Sequence, residues 1–143
     1  MLLNCNLKIK IRWIVKARTK FKITGWEEDE ITALEEGGKL TRAHVGKTYE
    51  GDLEGEGMVE YLMMHRADGS ADFVGYEKVE GSVKGRKGSF VFEHRGFFKD
   101  GVASDTWSVV DGSGSAELSG IKGTVRFEEG HKEEYEVDFD YEF

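Results

Sequence analysis

Hydrophobic and polar residues alternate with period two along most of the chain, and helical spacing is nearly absent. Such alternation puts every second side chain on one face of a sheet. The last segment is the clearest: Tyr135, Val137, Phe139, Tyr141 and Phe143 share one face, with Glu134, Glu136, Asp138, Asp140 and Glu142 on the other. Strands are predicted over 40–51, 56–66, 71–83, 88–98, 104–111, 115–127 and 132–143, preceded by one within 19–28 around Phe21 and Ile23. Gly51-Asp52, Asp68-Gly69, Gly85 to Gly88, Asp100-Gly101, Asp111-Gly112 and Glu129-Gly130 separate them, each offering the positive-φ residue a hairpin needs. Between the first two strands lies a polar connection, with a short helical turn expected around Ile31 to Leu34 and a turn at Gly37-Gly38.

Hairpins following one another at this spacing make an up-and-down meander, and closing it removes the exposed edges. The expected fold is therefore all-β, a closed antiparallel meander barrel of about eight strands. Eight strands leave an interior wide enough for packed side chains or one small ligand. Residues 1–18 read as a basic N-terminal extension or extra strand, and 19–143 as a single barrel domain. The chain has 143 residues, no proline and 19 glycines. Its length suits one domain, and that pairing suits strands joined by tight turns.

Charge narrows the set of partners. The net charge is -8, yet residues 1–22 hold seven basic groups (Lys8, Lys10, Arg12, Lys16, Arg18, Lys20 and Lys22) and no acidic ones. The acidic remainder repels phosphate backbones, which argues against nucleic acid. No stretch is long and apolar enough for a transmembrane helix, so no membrane partner is expected. Lys8, Lys10 and Arg12 interrupt what would otherwise be the apolar core of a signal peptide. Cys5 is the sole cysteine, which excludes an internal disulfide and agrees with a reducing, cytoplasmic setting.

The runs KLTRAHVGKTYEGDLEGEG (39–57), GYEKVEGSVKGRKGSFVFEHRG (75–96) and WSVVDGSGSAELSGIKG (107–123) resemble a family of small bacterial proteins of unknown function. The fold of that family is similar to the allene oxide cyclase barrel. With Phe21, Trp26 and the aromatic last strand, the resemblance covers about residues 19–143; Ser115 stands where such families show Thr. It implies an eight-stranded closed barrel with a cavity, and leaves room for a homo-oligomer. It implies no reaction.

Candidate chemistry follows from parity. Glu77 shares a face with Phe73 and Val79, and His94 shares one with Phe90 and Phe92. With the turn centred between residues 85 and 86, position 77 pairs near 94, so carboxylate and imidazole meet inside. One reading makes them a general acid/base pair; the other makes them a polar pair that sets strand register. Glu60 is a candidate second lumen acid if a bulge at Gly55 or Gly57 shifts its strand. Phe73, Phe90, Phe92, Trp107 and Tyr61 complete the expected lumen lining, Met58, Met63 and Met64 could add an adaptable wall, and Trp26 is placed at the mouth.

The glycine runs lack the lysine and helix that phosphate loops require, and His44, His65 and His131 have no metal spacing. No metal site and no cofactor is expected. The leading functional expectation is a protein binding a small apolar or amphipathic molecule in the barrel interior. The alternatives are an isomerase or cyclase acting in a shielded lumen, and a structural or interaction protein with a filled barrel.

Overall fold

A computed structural model describes residues 12–143 and shows a closed antiparallel barrel of eight strands in sequence order. The strands are β1 (Val15–Ala33), β2 (Lys39–Gly51), β3 (Leu53–His65), β4 (Ala71–Val83), β5 (Arg86–Lys99), β6 (Val102–Val109), β7 (Lys122–Glu129) and β8 (Tyr135–Glu142). No helix among the described residues is long and apolar enough to cross a membrane. Residues 1–11, with Cys5 and most of the predicted basic arm, lie outside the described part.

Several expected boundaries move. The barrel begins at Val15 rather than residue 19, because Val15 to Phe21 pair with Tyr141 to Tyr135 and close the cylinder. On the outer face of that seam the basic residues of β1 meet the acidic residues of β8. Lys16 and Arg18 face Asp138, Lys20 reaches Glu134 and Glu136, and Lys22 reaches Glu134. Exposed pairs add little stability individually, but opposite charges across a ladder favour this register over its neighbours.

β1 also runs through the predicted helical turn. Ile31 to Ala33 are strand, and the tight turn comes later, as a 3-10 turn at Glu35–Gly37. The strand predicted over 115–127 begins only at Lys122. Before it, the connection from Val110 to Ile121 folds back across the lower end of the barrel. There Leu118 and Ile121 are almost fully enclosed and join the core.

Inward parity builds a core dominated by aromatic rings. Phe90, Phe92, Trp107, Phe139 and Tyr49 occupy the lower and middle axis, and their rings interlock at centroid distances such as 4.9 Å for Phe90–Phe92 and 5.5 Å for Phe92–Trp107. Each such side chain contributes about 1.5–3 kcal/mol by leaving water. The upper end is different. β1–β8 pairing stops at Phe21–Tyr135 and β7–β8 pairing at Val125–Phe139, whereas β2 to β5 continue to the upper hairpins. The wall is therefore uneven there, and the polar interior lies just beneath it.

Candidate functional site

Glu77 and His94 both point into the barrel and have no exposed surface at all. Their strands are joined by the two-residue turn Lys84-Gly85, both residues at positive φ, so Glu77 pairs with Phe92 and His94 with Gly75. The expected 77–94 pairing is thus two residues out. Side-chain facing repeats every two residues, so that slip leaves both groups inside, and they meet diagonally instead. His94 Nε2 lies 2.6 Å from Glu77 Oε1.

Around this pair the barrel assembles a larger polar cluster. Lys47 Nζ donates to Glu77 Oε1 at 3.0 Å, and the Tyr49 hydroxyl donates to Glu77 Oε2. The Lys47 ammonium also sits 4.1 Å from the Trp107 ring and 4.8 Å from the Phe21 ring, where the aromatic faces favour a cation. On the other side His94 Nδ1 lies 2.9 Å from Asp105 Oδ2, to which the Trp107 indole N–H donates at 2.8 Å.

Burial alone would push the Glu77 carboxyl upward, but the Lys47 ammonium, His94 and the Tyr49 hydroxyl outweigh it and hold its pKa at about 2. Glu77 is therefore an anion at neutral pH. A neutral imidazole has one donor and one acceptor nitrogen, yet both nitrogens of His94 face carboxylate oxygens. Tyr49 and Tyr61 are pushed well above the ordinary tyrosine range, first by burial and then by these carboxylates, so both hydroxyls stay protonated donors.

Gly57 makes room for this arrangement. A methyl group there would run into Glu77 Oε2 and approach the Tyr49 ring at 3.0 Å. Gly57→Ala is expected to destabilise the protein by about 1–3 kcal/mol, because the carboxylate must leave its partners to make space. Urea unfolding checks this, and a midpoint unchanged from that of the parent protein would contradict it.

One acceptor in the cluster is left over. Among the described residues Asp105 Oδ1 is buried and has no hydrogen-bond partner. Asp105 is 8% exposed and stands at the top of the cluster, just below the uneven upper rim. It pairs across the ladder with Gly96 and Phe127. Gly96 in turn pairs with Phe73, whose ring lies against that glycine: a methyl there would be 2.8 Å from Phe73 Cζ and 2.9 Å from the Asp105 Cα. Tyr61 packs edge-on to both Phe73 and His94, and Trp26 stacks over Tyr61 with centroids 6.2 Å apart. Trp26, 47% exposed, stands opposite the buried Val45 after a bulge between Ile23 and Gly25. At this end of the barrel Asp105 thus lies beside Phe73, with Tyr61 and Trp26 stacked next to it.

The family comparison covers this whole arrangement. Residues 17–141 match the family model described as "Protein of unknown function (DUF3224)". The chain belongs to the DUF3224 family. Among solved structures it is similar to a protein with unknown function from the DUF3224 family of Shewanella oneidensis MR-1, with a TM-score of 0.75 and 30% identity. That similarity covers 90% of this chain and 97% of the other. No curated protein matches the chain.

In this DUF3224 barrel the residues expected in the lumen divide into three groups. Phe90, Phe92 and Trp107 lie on the axis but are packed against each other, and Glu77 and His94 are sealed beneath Tyr61. Tyr61 and Phe73 reach the mouth. Glu60 is not in the lumen: β3 pairs with β2 and β4 without a register shift, so Glu60 keeps the outward parity of Met58 and Leu62. Its carboxylate, 57% exposed, bonds His44 on the outer wall. There it borders a shallow concavity of about 530 Å3 with Leu62, Val74, Tyr76, Arg42 and Arg95. Of Met58, Met63 and Met64, Met58 is exposed, whereas Met63 packs against the cluster of Ala43, Val45, Val59, Tyr61 and Phe73.

Lys47, Tyr49 and Asp105 were not among the expected site residues. The signal lay in parity: Lys47 alternates in step with Val45 and Tyr49, and Asp105 with Trp107 and Val109. Charged residues on an apolar face are the ones that need partners when buried.

Proposed function

We infer that this protein binds a small amphipathic molecule at the upper mouth of its barrel, above Asp105, and that the deep cluster serves to hold that floor in place. The observation carrying this reading is the buried Asp105 oxygen that has no partner, in a network where Glu77 and His94 are otherwise fully bonded. An unpaired buried acceptor costs about 1–3 kcal/mol, a cost that a ligand N–H or O–H donor removes. Aromatic sides with a few convergent polar groups suit a small molecule, and barrel mouths are frequent locations for one. An isomerase or cyclase using Glu77 or His94 directly would need a reacting molecule to reach two fully enclosed groups, so their geometry favours a positioning role.

Native mass spectrometry of the whole protein, isolated directly from cell extract, is expected to show a retained small molecule. Trp26→Ala removes an exposed ring from the mouth without opening the core, and is expected to weaken retention about tenfold, equivalent to about 1.4 kcal/mol. Retention unchanged in Trp26→Ala and in Phe73→Leu would move the site elsewhere. A preparation with no retained molecule, together with no response of Trp26 or Tyr61 resonances to a fragment library, would refute the reading.

A further inference from the structure

We propose that the mouth of this barrel takes an organic cation, a protonated amine carrying an apolar group, with the ammonium N–H donating to Asp105 Oδ1 and the charge against the rings of Tyr61, Phe73 and Phe127. This rests on the mouth-binding reading and names the ligand class for that site. Three observations carry it independently of one another.

The first is the floor. Asp105 Oδ2 already accepts from Trp107 and faces His94, so among the described residues Oδ1 is the one buried acceptor of the network still open, and it belongs to an acid rather than to an amide or hydroxyl. Bonds from a cationic donor to a carboxylate are about twice as strong as neutral ones. The second is the walls. Phe73 lies beside Asp105 across Gly96, Phe127 pairs with it across the next ladder, and Tyr61 sits between Phe73 and Trp26. Ring faces around an acid attract a cation, and the same barrel already uses that device below, where Lys47 rests between Phe21 and Trp107 over Glu77.

The third is the rim. β1 brings the acidic run Glu27 to Glu30 to this end, and Glu28 faces in beside His65 and Trp26. Basic groups on the neighbouring hairpins are partly neutralised: Arg66 is paired with Asp72 and Lys132 with Glu129. A mouth of that sign concentrates cations and repels anions. Phosphates, carboxylates and nucleotides are therefore poor candidates.

The test uses four benzyl-group probes on the intact protein: benzylammonium, benzyltrimethylammonium, benzyl alcohol and benzoate. Binding is followed by the amide and indole N–H resonances, with the Trp107 indole as reporter because it donates to Asp105. Benzylammonium is expected to bind at least tenfold more tightly than benzyl alcohol and to shift the Trp107 indole, with benzyltrimethylammonium, which has no N–H to donate, weaker than benzylammonium, and benzoate weakest. Asp105→Asn is expected to remove the preference for the cation. Should that variant fail to fold, the ranking of the four probes on the parent protein decides the matter alone. Benzyl alcohol binding as well as benzylammonium would overturn the cation assignment while leaving mouth binding intact. No response of the mouth resonances to any probe would overturn both.

Discussion

Glu77→Gln is expected to lower the unfolding free energy by about 3–5 kcal/mol, the usual consequence of removing one partner of a buried ion pair. The carboxylate has no exposed surface and binds Lys47, His94 and Tyr49 at once. The amide keeps the shape but not the charge, so the Lys47 ammonium is left enclosed between two rings with no anion in contact. For a chain of this size the loss corresponds to roughly 10–15 °C in Tm. Urea unfolding followed by tryptophan fluorescence measures it. Lys47→Met combined with Glu77→Gln is expected to recover at least half of the loss, since the stranded charge is then gone. A drop below about 1 kcal/mol in the single variant, or no recovery in the double, would show that the ion pair does not carry the core in this way.

Acid is expected to dissolve the same interaction from the other side. Glu77 has a folded-state pKa of about 2 against an ordinary value of 4.5. A depressed carboxyl stabilises the fold wherever the unfolded chain would already be ionised, so its contribution is complete above about pH 4.5. It declines as pH falls from there and is gone below about 2. The magnitude is on the order of 3 kcal/mol. The urea midpoint is expected to fall steadily below pH 4.5, while the Glu77 side-chain 13C resonance keeps its ionised position down to about pH 3. A titration midpoint for that carbon at or above 4.5 would contradict the burial of an ionised Glu77.

Both expectations concern a cluster that was only partly legible in the residues. Inward facing of Glu77 and His94 follows from period-two parity with Phe73, Val79, Phe90 and Phe92, and that inference withstands a two-residue error in register because parity does. The partner residue does not follow so easily. Where the Lys84-Gly85 turn is centred decides whether Glu77 sits opposite His94 or Phe92, and a stretch containing Gly85, Arg86, Lys87 and Gly88 offers several centres. Glu60 shows the opposite failure. A bulge at Gly55 or Gly57 would have turned it inward, but those glycines leave the ladder unbroken; Gly57 instead leaves space for the Glu77 carboxylate. A glycine in a strand signals close approach as readily as a bulge, and only the neighbouring strand tells which.

The alternation of side chains along the chain by itself determined an all-β meander of about eight strands, most of its hairpin turns, and the sense in which Glu77, His94 and Phe73 face. These are local properties: two-residue periodicity and positive-φ turn residues act within a few positions. Which polar groups converge was decided only by closure of the barrel. Lys47, Glu77, His94 and Asp105 come from four different strands, β2, β4, β5 and β6, and are within reach of one another only because the cylinder is narrow. Its lower axis is filled by interlocked rings, the Val110 to Ile121 connection seals that end, and the unequal strand lengths leave Asp105 beneath the upper rim. Filling and openness depend on how side chains from distant strands share one volume, and no periodicity encodes that.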